Sequence, residues 1–212
     1  GIRDSVASRG RGDVYKRQDI NNNWNSLISS GSENADYHYQ VNSHDLLNIQ
    51  YTSGTTGFPK GCMQSQRFWV MAGCIAALRN KDIKSVLADS PFFYFDDQWM
   101  VIMGLYSGIT VHVSEGMSVS RFLDWIDNHQ IELAYFPTPL LETPPSPRDS
   151  ATSLKKFIGF ALNAEMTRLV EERFNVLTRD SFGMTEIGVG FCLLYTSPSP
   201  RDATLSRMPS SA

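Results

Sequence analysis

The chain has 212 residues, 42% of them hydrophobic and 11% aromatic, enough for one domain with a real core. A formal net charge of -3, an isoelectric point near 5.8 and the lack of any Lys/Arg run with interleaved aromatics exclude a nucleic-acid partner. The longest apolar stretch, Phe68 to Leu78, falls short of the roughly 20 residues a membrane span needs and is flanked by Arg67 and Arg79, so it reads as a buried helix.

Residues 19 to 45 are polar and rich in Asn and Ser, and their composition predicts a connecting surface loop. Leu46 to Tyr51 is a short apolar run consistent with a strand, followed by a Gly/Thr/Ser loop. Gln64 to Asn80 carries apolar residues at helical spacing, Ser85 to Asp89 reads as a strand, and Pro91 to Phe95 as an aromatic turn. Asp96 is the expected N-cap of a helix through Tyr106. Ile109 to Val113 is a strand, Ser118 caps a helix ending near His129, and Glu132 to Phe136 is a further strand. The Pro-rich stretch 137 to 147 breaks regular structure, after which Phe157–Phe160, Ala164–Phe174 and Val176–Asp180 repeat strand, helix, strand. This alternation predicts an α/β fold with a largely parallel sheet flanked by helices.

Both ends differ from the middle. Residues 1 to 18 hold five basic and two acidic side chains, and residues 192 to 212 hold two Arg against one Asp in a Ser/Pro-rich setting. Neither has a periodic apolar pattern with which to offset chain entropy, and both resemble translated sequencing-adapter read-through. They are expected to be non-native or disordered tails around an authentic segment of about 19 to 191. Arg3, Asp4, Arg9 and Arg11 open the chain without an apolar block behind them, so no secretory signal is expected. Cys62, Cys74 and Cys192 lack paired or zinc-type spacing, His38, His44, His112 and His129 are scattered, and a reducing cytoplasm is the expected location.

The segment from Tyr51 to Gly61 reads Tyr-Thr-Ser-Gly-Thr-Thr-Gly-Phe-Pro-Lys-Gly and follows directly on a predicted strand. Gly54, Gly57 and Gly61 let backbone N–H groups turn inward, Thr52, Ser53, Thr55 and Thr56 add neutral donors, and Lys60 supplies a point charge for polyphosphate. The string is not a Walker A loop, because Lys60 is followed by Gly61 and not by Ser or Thr.

Thr52 to Gly61 resembles the signature phosphate loop of the adenylate-forming, AMP-binding superfamily, which includes acyl-CoA synthetases, luciferases of the firefly type and peptide-synthetase adenylation domains. Ser181-Phe-Gly-Met-Thr-Glu186 resembles its second motif, with Phe182 where Tyr is usual. The resemblance implies that Phe182 stacks on the adenine, that Gly183 belongs to the nucleotide-binding residues, that Thr185 bonds the α-phosphate or the acyl-adenylate and that Glu186 holds Mg2+, with Lys60, Thr185 and Glu186 as catalytic residues. It further implies that Tyr94 and Gln98 line the acid pocket and that Gly159 approaches the nucleotide, although Gly159-Phe-Ala-Leu-Asn163 departs from the family's Gly-Gly-Ala-Pro. Gln98, Leu162-Asn163 and Glu172-Arg-Phe174 are similar to the carnitine/crotonobetaine CoA ligase branch.

The implied reaction activates a carboxylic acid with ATP to acyl-AMP and passes the acyl group to CoA. The resemblance covers part of the large N-terminal domain of such enzymes, so the chain alone is expected to be inactive. A carrier-protein-loading adenylation domain and a non-catalytic nucleotide-binding fragment stay open as alternatives, as do the acid itself and the oligomeric state.

Overall fold

In the central strands alternate side chains belong to two separate cores, and this alternation builds the domain. Val86, Leu133, Tyr135 and Ile158 pack with Trp69, Trp99, Met100 and Met103 on one face of the sheet. Leu87, Ala134 and Phe157 pack with Phe122, Ile126, Val170 and Phe174 on the other. A sheet buried on both faces in this way is the usual setting of parallel strands.

The computed structural model describes residues 20–31, 40–52, 58–160 and 162–193, in two units, 1–41 and 42–212. The first unit contains helix α1, Ile20–Ser30. This corrects the expected polar loop: residues 20–30 are helical although Asn and Ser are weak helix formers, and Trp24 and Ile28, four positions apart, share one face of the helix. The tail expected at 1–18 lies outside the described residues, as do residues 194–212 of the tail expected at 192–212, whereas Cys192 and Leu193 instead end a strand, Gly188–Leu193, paired with Ser181 and Asp180.

The second unit opens with an antiparallel hairpin, β1 (Leu46–Thr52) and β2 (Lys60–Ser65), closed by the pair Thr52 and Lys60. The sequence pattern assigned no strand to 60–65. Helix α2 (Gln66–Arg79) is capped by Ser65, whose hydroxyl accepts from Phe68 N, and crosses helix α3 (Phe95–Ser107) at Gly73. A Cβ at Gly73 would meet Ile102 Cγ2 at 2.4 Å, so the residue sets how near the two helices approach.

The six-stranded sheet has the order β4-β3-β5-β6-β7-β8, with β3 Ser85–Ala88, β4 Thr110–Val113, β5 Leu133–Tyr135, β6 Lys156–Gly159, β7 Leu177–Met184 and β8 Gly188–Leu193. The first five are parallel and β8 is antiparallel to β7. Helix α4 (Val119–His129) connects β4 to β5, and α5 (Ala164–Phe174), capped by Asn163, connects β6 to β7. The chain thus runs from β3 outward to β4, then returns past β3 to β5. The carboxyl ends of β3 and β5 flank a topological switch point, where doubly wound sheets leave a crevice for ligands.

Asp96 is not the cap of α3. Tyr94 holds that position, its N–H bonded to Pro91 O in the aromatic turn, and Asp96 lies one residue inside the helix with Oδ1 accepting from Tyr135 Oη. The strand expected at 176–180 runs on to Met184 because β8 pairs with its far end, so Thr185 and Glu186 sit in a β-hairpin turn.

Candidate functional site

Side chains alternate along β2, so Lys60, Cys62 and Gln64 share one face. Gln64, 2% exposed, donates from Nε2 to the carbonyl of Thr185 at 2.6 Å, and Cys62 Sγ lies 3.6 Å from the same oxygen. The β7–β8 turn is therefore clamped to the β2 face that carries Lys60 at its start. Glu186 is near enough that its charge, after burial, helps push the Cys62 thiol up. Gly188 ends the turn at φ 75°, and a Cβ there would come within 3.2 Å of Phe68 Cζ. A side-chain-free residue in the left-handed region is needed to seat the turn on α2.

Thr52 and Lys60 mark where the phosphate-type loop leaves and rejoins the hairpin, while Ser53, Gly54, Thr55, Thr56 and Gly57 lie outside the described residues. Phe182, at the carboxyl end of β7, is half exposed, as stacking on a base requires. Gly159 ends β6, and a Cβ on it would meet Leu162 Cδ1 at 2.4 Å, which makes it a close-packing position. The amide of Gln98 is occupied on both sides: Oε1 accepts from Asn48 Nδ2 at 2.8 Å and Nε2 donates to Phe92 O. Gln98 therefore ties β1 and the aromatic turn to α3.

At the switch point lies a cavity of about 290 Å3 with Asp89, Tyr94, Asp96, Tyr135, Phe136 and Phe160 in its walls. A larger cavity of about 570 Å3, lined by Ala72, Ile75, Trp99 and Lys156, opens on the α2 side of the sheet. It lies away from the carboxyl strand ends, and size alone does not make it the better candidate.

The crevice is acidic behind its aromatic walls. Trp99 Nε1 donates to Tyr135 Oη at 3.0 Å, and Tyr135 Oη donates to Asp96 Oδ1 at 3.1 Å. Burial pushes Asp89 up to about 6 and raises Asp96 as well. Asp97, 0% exposed, is pushed up to about 7, mainly by burial and further by the charges of Asp89 and Asp96. The Ser90 main chain offsets part of this shift, yet neither carboxyl oxygen of Asp97 makes a hydrogen bond of normal geometry.

A carboxyl with a raised folded-state pKa keeps its proton in the folded chain after the unfolded chain has lost it. Stability therefore falls as pH rises from about 4 to about 7. Asp97→Asn is expected to stabilise the fold by about 1–2 kcal/mol at pH 8 and hardly at all near pH 4. Urea titrations at the two pH values measure this, and an equal effect at both would mean that Asp97 does not titrate in that window.

The arrangement joins a hairpin loop bearing one lysine, a turn bearing one carboxylate and an acid-lined aromatic crevice within one unit. A family model described as "AMP-binding enzyme" matches residues 3–210. The chain belongs to the AMP-binding enzyme family.

Among its AMP-binding relatives is a medium/long-chain-fatty-acid–CoA ligase of Mycobacterium tuberculosis, 27% identical over 96% of this chain and 35% of the relative. A crotonobetaine/carnitine–CoA ligase of Salmonella typhi is 28% identical over 84% of this chain and 36% of the relative. The O-succinylbenzoate CoA synthetase of Bacillus subtilis, solved in complex with ATP and magnesium ion, superposes with a TM-score of 0.67 at 22% identity, over 80% of this chain and 37% of that one. The chain spans about a third of the length of the curated relatives it matches. No helix among the described residues is long and apolar enough to cross a membrane.

Gln64 and Cys62 as clamps, and Asp89 and Asp97 as buried acids, were not among the site residues expected from sequence. The two-residue spacing of Lys60, Cys62 and Gln64 was an available signal. Nothing local marks Asp89 or Asp97.

Proposed function

We propose that the chain is the nucleotide-binding part of an ATP-dependent, AMP-forming acid–thiol ligase. The observation that carries the reading is the clamp from Gln64 to the Thr185 carbonyl, which brings the Glu186 turn beside the strand that begins at Lys60. In this reading Thr52 to Gly57 and Lys60 take the β- and γ-phosphates, Thr185 bonds the α-phosphate, and Phe182 and Gly183 face the adenine with Gly159 behind them. Tyr94 borders the acid at the switch-point crevice, and Gln98 acts indirectly by holding the aromatic turn.

The acid's carboxylate attacks the α-phosphorus, pyrophosphate leaves and acyl-AMP forms; the sulfur of CoA then attacks the acyl carbon and AMP leaves. Negative charge gathers on the phosphate oxygens in the first step, so the chain's contribution is electrostatic, and no protein nucleophile is needed. Lys60 and the loop N–H groups stabilise the leaving pyrophosphate, while the clamped turn holds Thr185 Oγ1 and the Glu186 carboxylate in position.

The residues fit magnesium of the kind bound through one or two carboxylates and the substrate's phosphates: Glu186 is exposed on the turn, and no cluster of three ligand side chains occurs among the described residues. Held by Glu186, the ion would supply charge neutralisation to the phosphates.

The test is titration calorimetry of the purified chain with ATP and magnesium, which should show saturable binding at one site. No saturable binding up to millimolar ATP would overturn the reading. Turnover by the chain alone is not expected. Acid-dependent ATP–pyrophosphate exchange belongs to a protein of the relatives' full length.

A further inference from the structure

The β1–β2 hairpin turns its polar face inward and its apolar face out. Asn48, Gln50 and Thr52 stand opposite Gln64, Cys62 and Lys60 in the register, with Gln50 and Gln64 buried, whereas Ile49, Tyr51 and Met63 are exposed. Burying amides is costly unless they are hydrogen-bonded, and the bonds of this face end at two different turns. Gln64 Nε2 holds the Thr185 carbonyl in the β7–β8 turn. Its cross-strand partner Asn48 donates to Gln98 Oε1, and Gln98 Nε2 donates to Phe92 O inside the aromatic turn that Tyr94 N closes on Pro91 O.

One bond between Asn48 and Gln64 would join these two sets into a single line. Gln64 Oε1 is buried and accepts no hydrogen bond among the described residues, and the Asn48 amide carries a second N–H beside the one given to Gln98. Opposed side chains on one face of an antiparallel pair have Cβ atoms within about 5.5 Å, close enough for two amides to meet. An apolar path also links the turns, since a Cβ on Gly188 would lie 3.4 Å from Phe95 Cζ, but it meets the start of α3 and not the Phe92 carbonyl.

We propose that Asn48 and Gln64 are positioning residues that couple the two turns. Nucleotide on the Thr185–Glu186 turn seats Gln64 Oε1 on the Asn48 N–H, Gln98 passes the constraint to the aromatic turn, and Tyr94 is set for the acid. This rests on the acid-activating reading for what occupies each turn, while the link between them comes from the hairpin's own contacts.

Amide hydrogen exchange of the purified chain, read by mass spectrometry, tests the link. Saturating ATP with magnesium is expected to slow exchange in residues 183–188, and in residues 91–97 by about fivefold or more. In Asn48→Ala the effect at 183–188 should remain and ATP affinity should stay within about twofold, while the slowing at 91–97 falls below about twofold. A merely structural role for Asn48 would instead speed exchange at 91–97 by the same factor with and without ATP. Thermal melts establish folding, and Asn48→Asp, isosteric but without the N–H donor, takes the place of Asn48→Ala if that variant is unfolded.

Slowing at 183–188 without slowing at 91–97 in the parent overturns the proposal and leaves the nucleotide reading standing. Slowing at 91–97 that persists in the variant also overturns it, because the coupling would then run through Gly188 and Phe95 or through direct contact with ATP. No ATP-dependent change in either segment overturns the nucleotide reading and this inference with it.

Discussion

Replacing Arg173 by methionine is expected to destabilise the 42–212 unit by about 3–5 kcal/mol, read as a shift of the urea midpoint of the purified chain. Arg173 stands near the end of α5, and its guanidinium reaches across to the Pro-rich stretch. Nε donates to Asp149 Oδ2 at 2.7 Å, Nη1 to Thr143 O at 2.9 Å and to Leu140 O at 3.2 Å, and Nη2 to Thr143 Oγ1 at 2.9 Å. The two side chains of the ion pair are only 12% and 4% exposed. Methionine keeps the apolar stem but leaves Asp149 as an uncompensated buried charge and removes the donors of several carbonyls.

The acid limb of stability gives a second readout of the same contact. Burial by itself would raise the Asp149 carboxyl, but the Ser146 N–H and the Arg173 guanidinium outweigh it, and the net effect holds it below the usual carboxylate range. A depressed folded-state pKa contributes stability that is present above the unfolded value and lost as pH falls through the folded one. In Arg173→Met part of that acid-side loss should disappear, because the guanidinium no longer favours the charged form. A variant as stable as the parent across the whole pH range would mean that the Pro-rich stretch is held by other contacts.

Arg173 also illustrates what sequence can and cannot carry. The helix that bears it was legible to the residue, since Asn163 is a good cap and the apolar spacing of Ala164–Phe174 is helical. Its partners, 24 to 33 positions away in a segment legible only as a break, were not. The parallel sheet followed from the alternation of short apolar runs with helices, and the two-faced burial of Val86–Leu87 and Leu133–Ala134 agrees with it.

Strand β2 was hidden because Lys60-Gly-Cys-Met-Gln-Ser65 has no β-branched residue. It becomes a strand by pairing with β1, not by its own propensity. The far half of β7 was hidden for the same reason, since β8 completes it. The acidic crevice was invisible because Asp89, Asp96 and Asp97 look like ordinary turn and helix-start residues until the sheet covers them.

Within the candidate site the motif residues were legible and their connection was not. Two strings some 120 positions apart meet through Gln64 and Thr185, a contact that neither string contains in full. If Lys60 and Glu186 serve one nucleotide, their effects on it must be coupled.

Lys60→Ala is expected to weaken binding of ATP with magnesium by about ten- to a hundredfold, the magnitude of a lost charge-assisted contact of about 1.5–3 kcal/mol. AMP, which lacks the outer phosphates, should lose less than about threefold, since Lys60 is assigned to them. Glu186→Gln should weaken ATP binding only when magnesium is present. In a double-mutant cycle the two losses should fall short of adding by about 1 kcal/mol or more, because each removes part of the same compensated phosphate charge.

Salt provides the internal control. Raising ionic strength should lower the parent's ATP affinity more steeply than that of Lys60→Ala, since the variant has already lost the screened attraction. Calorimetry in which Lys60→Ala weakens AMP and ATP equally would place the lysine away from the outer phosphates. Strict additivity with Glu186→Gln would mean that the two side chains act at separate places, and the clamp between β2 and the β7–β8 turn would then be a feature of the fold alone.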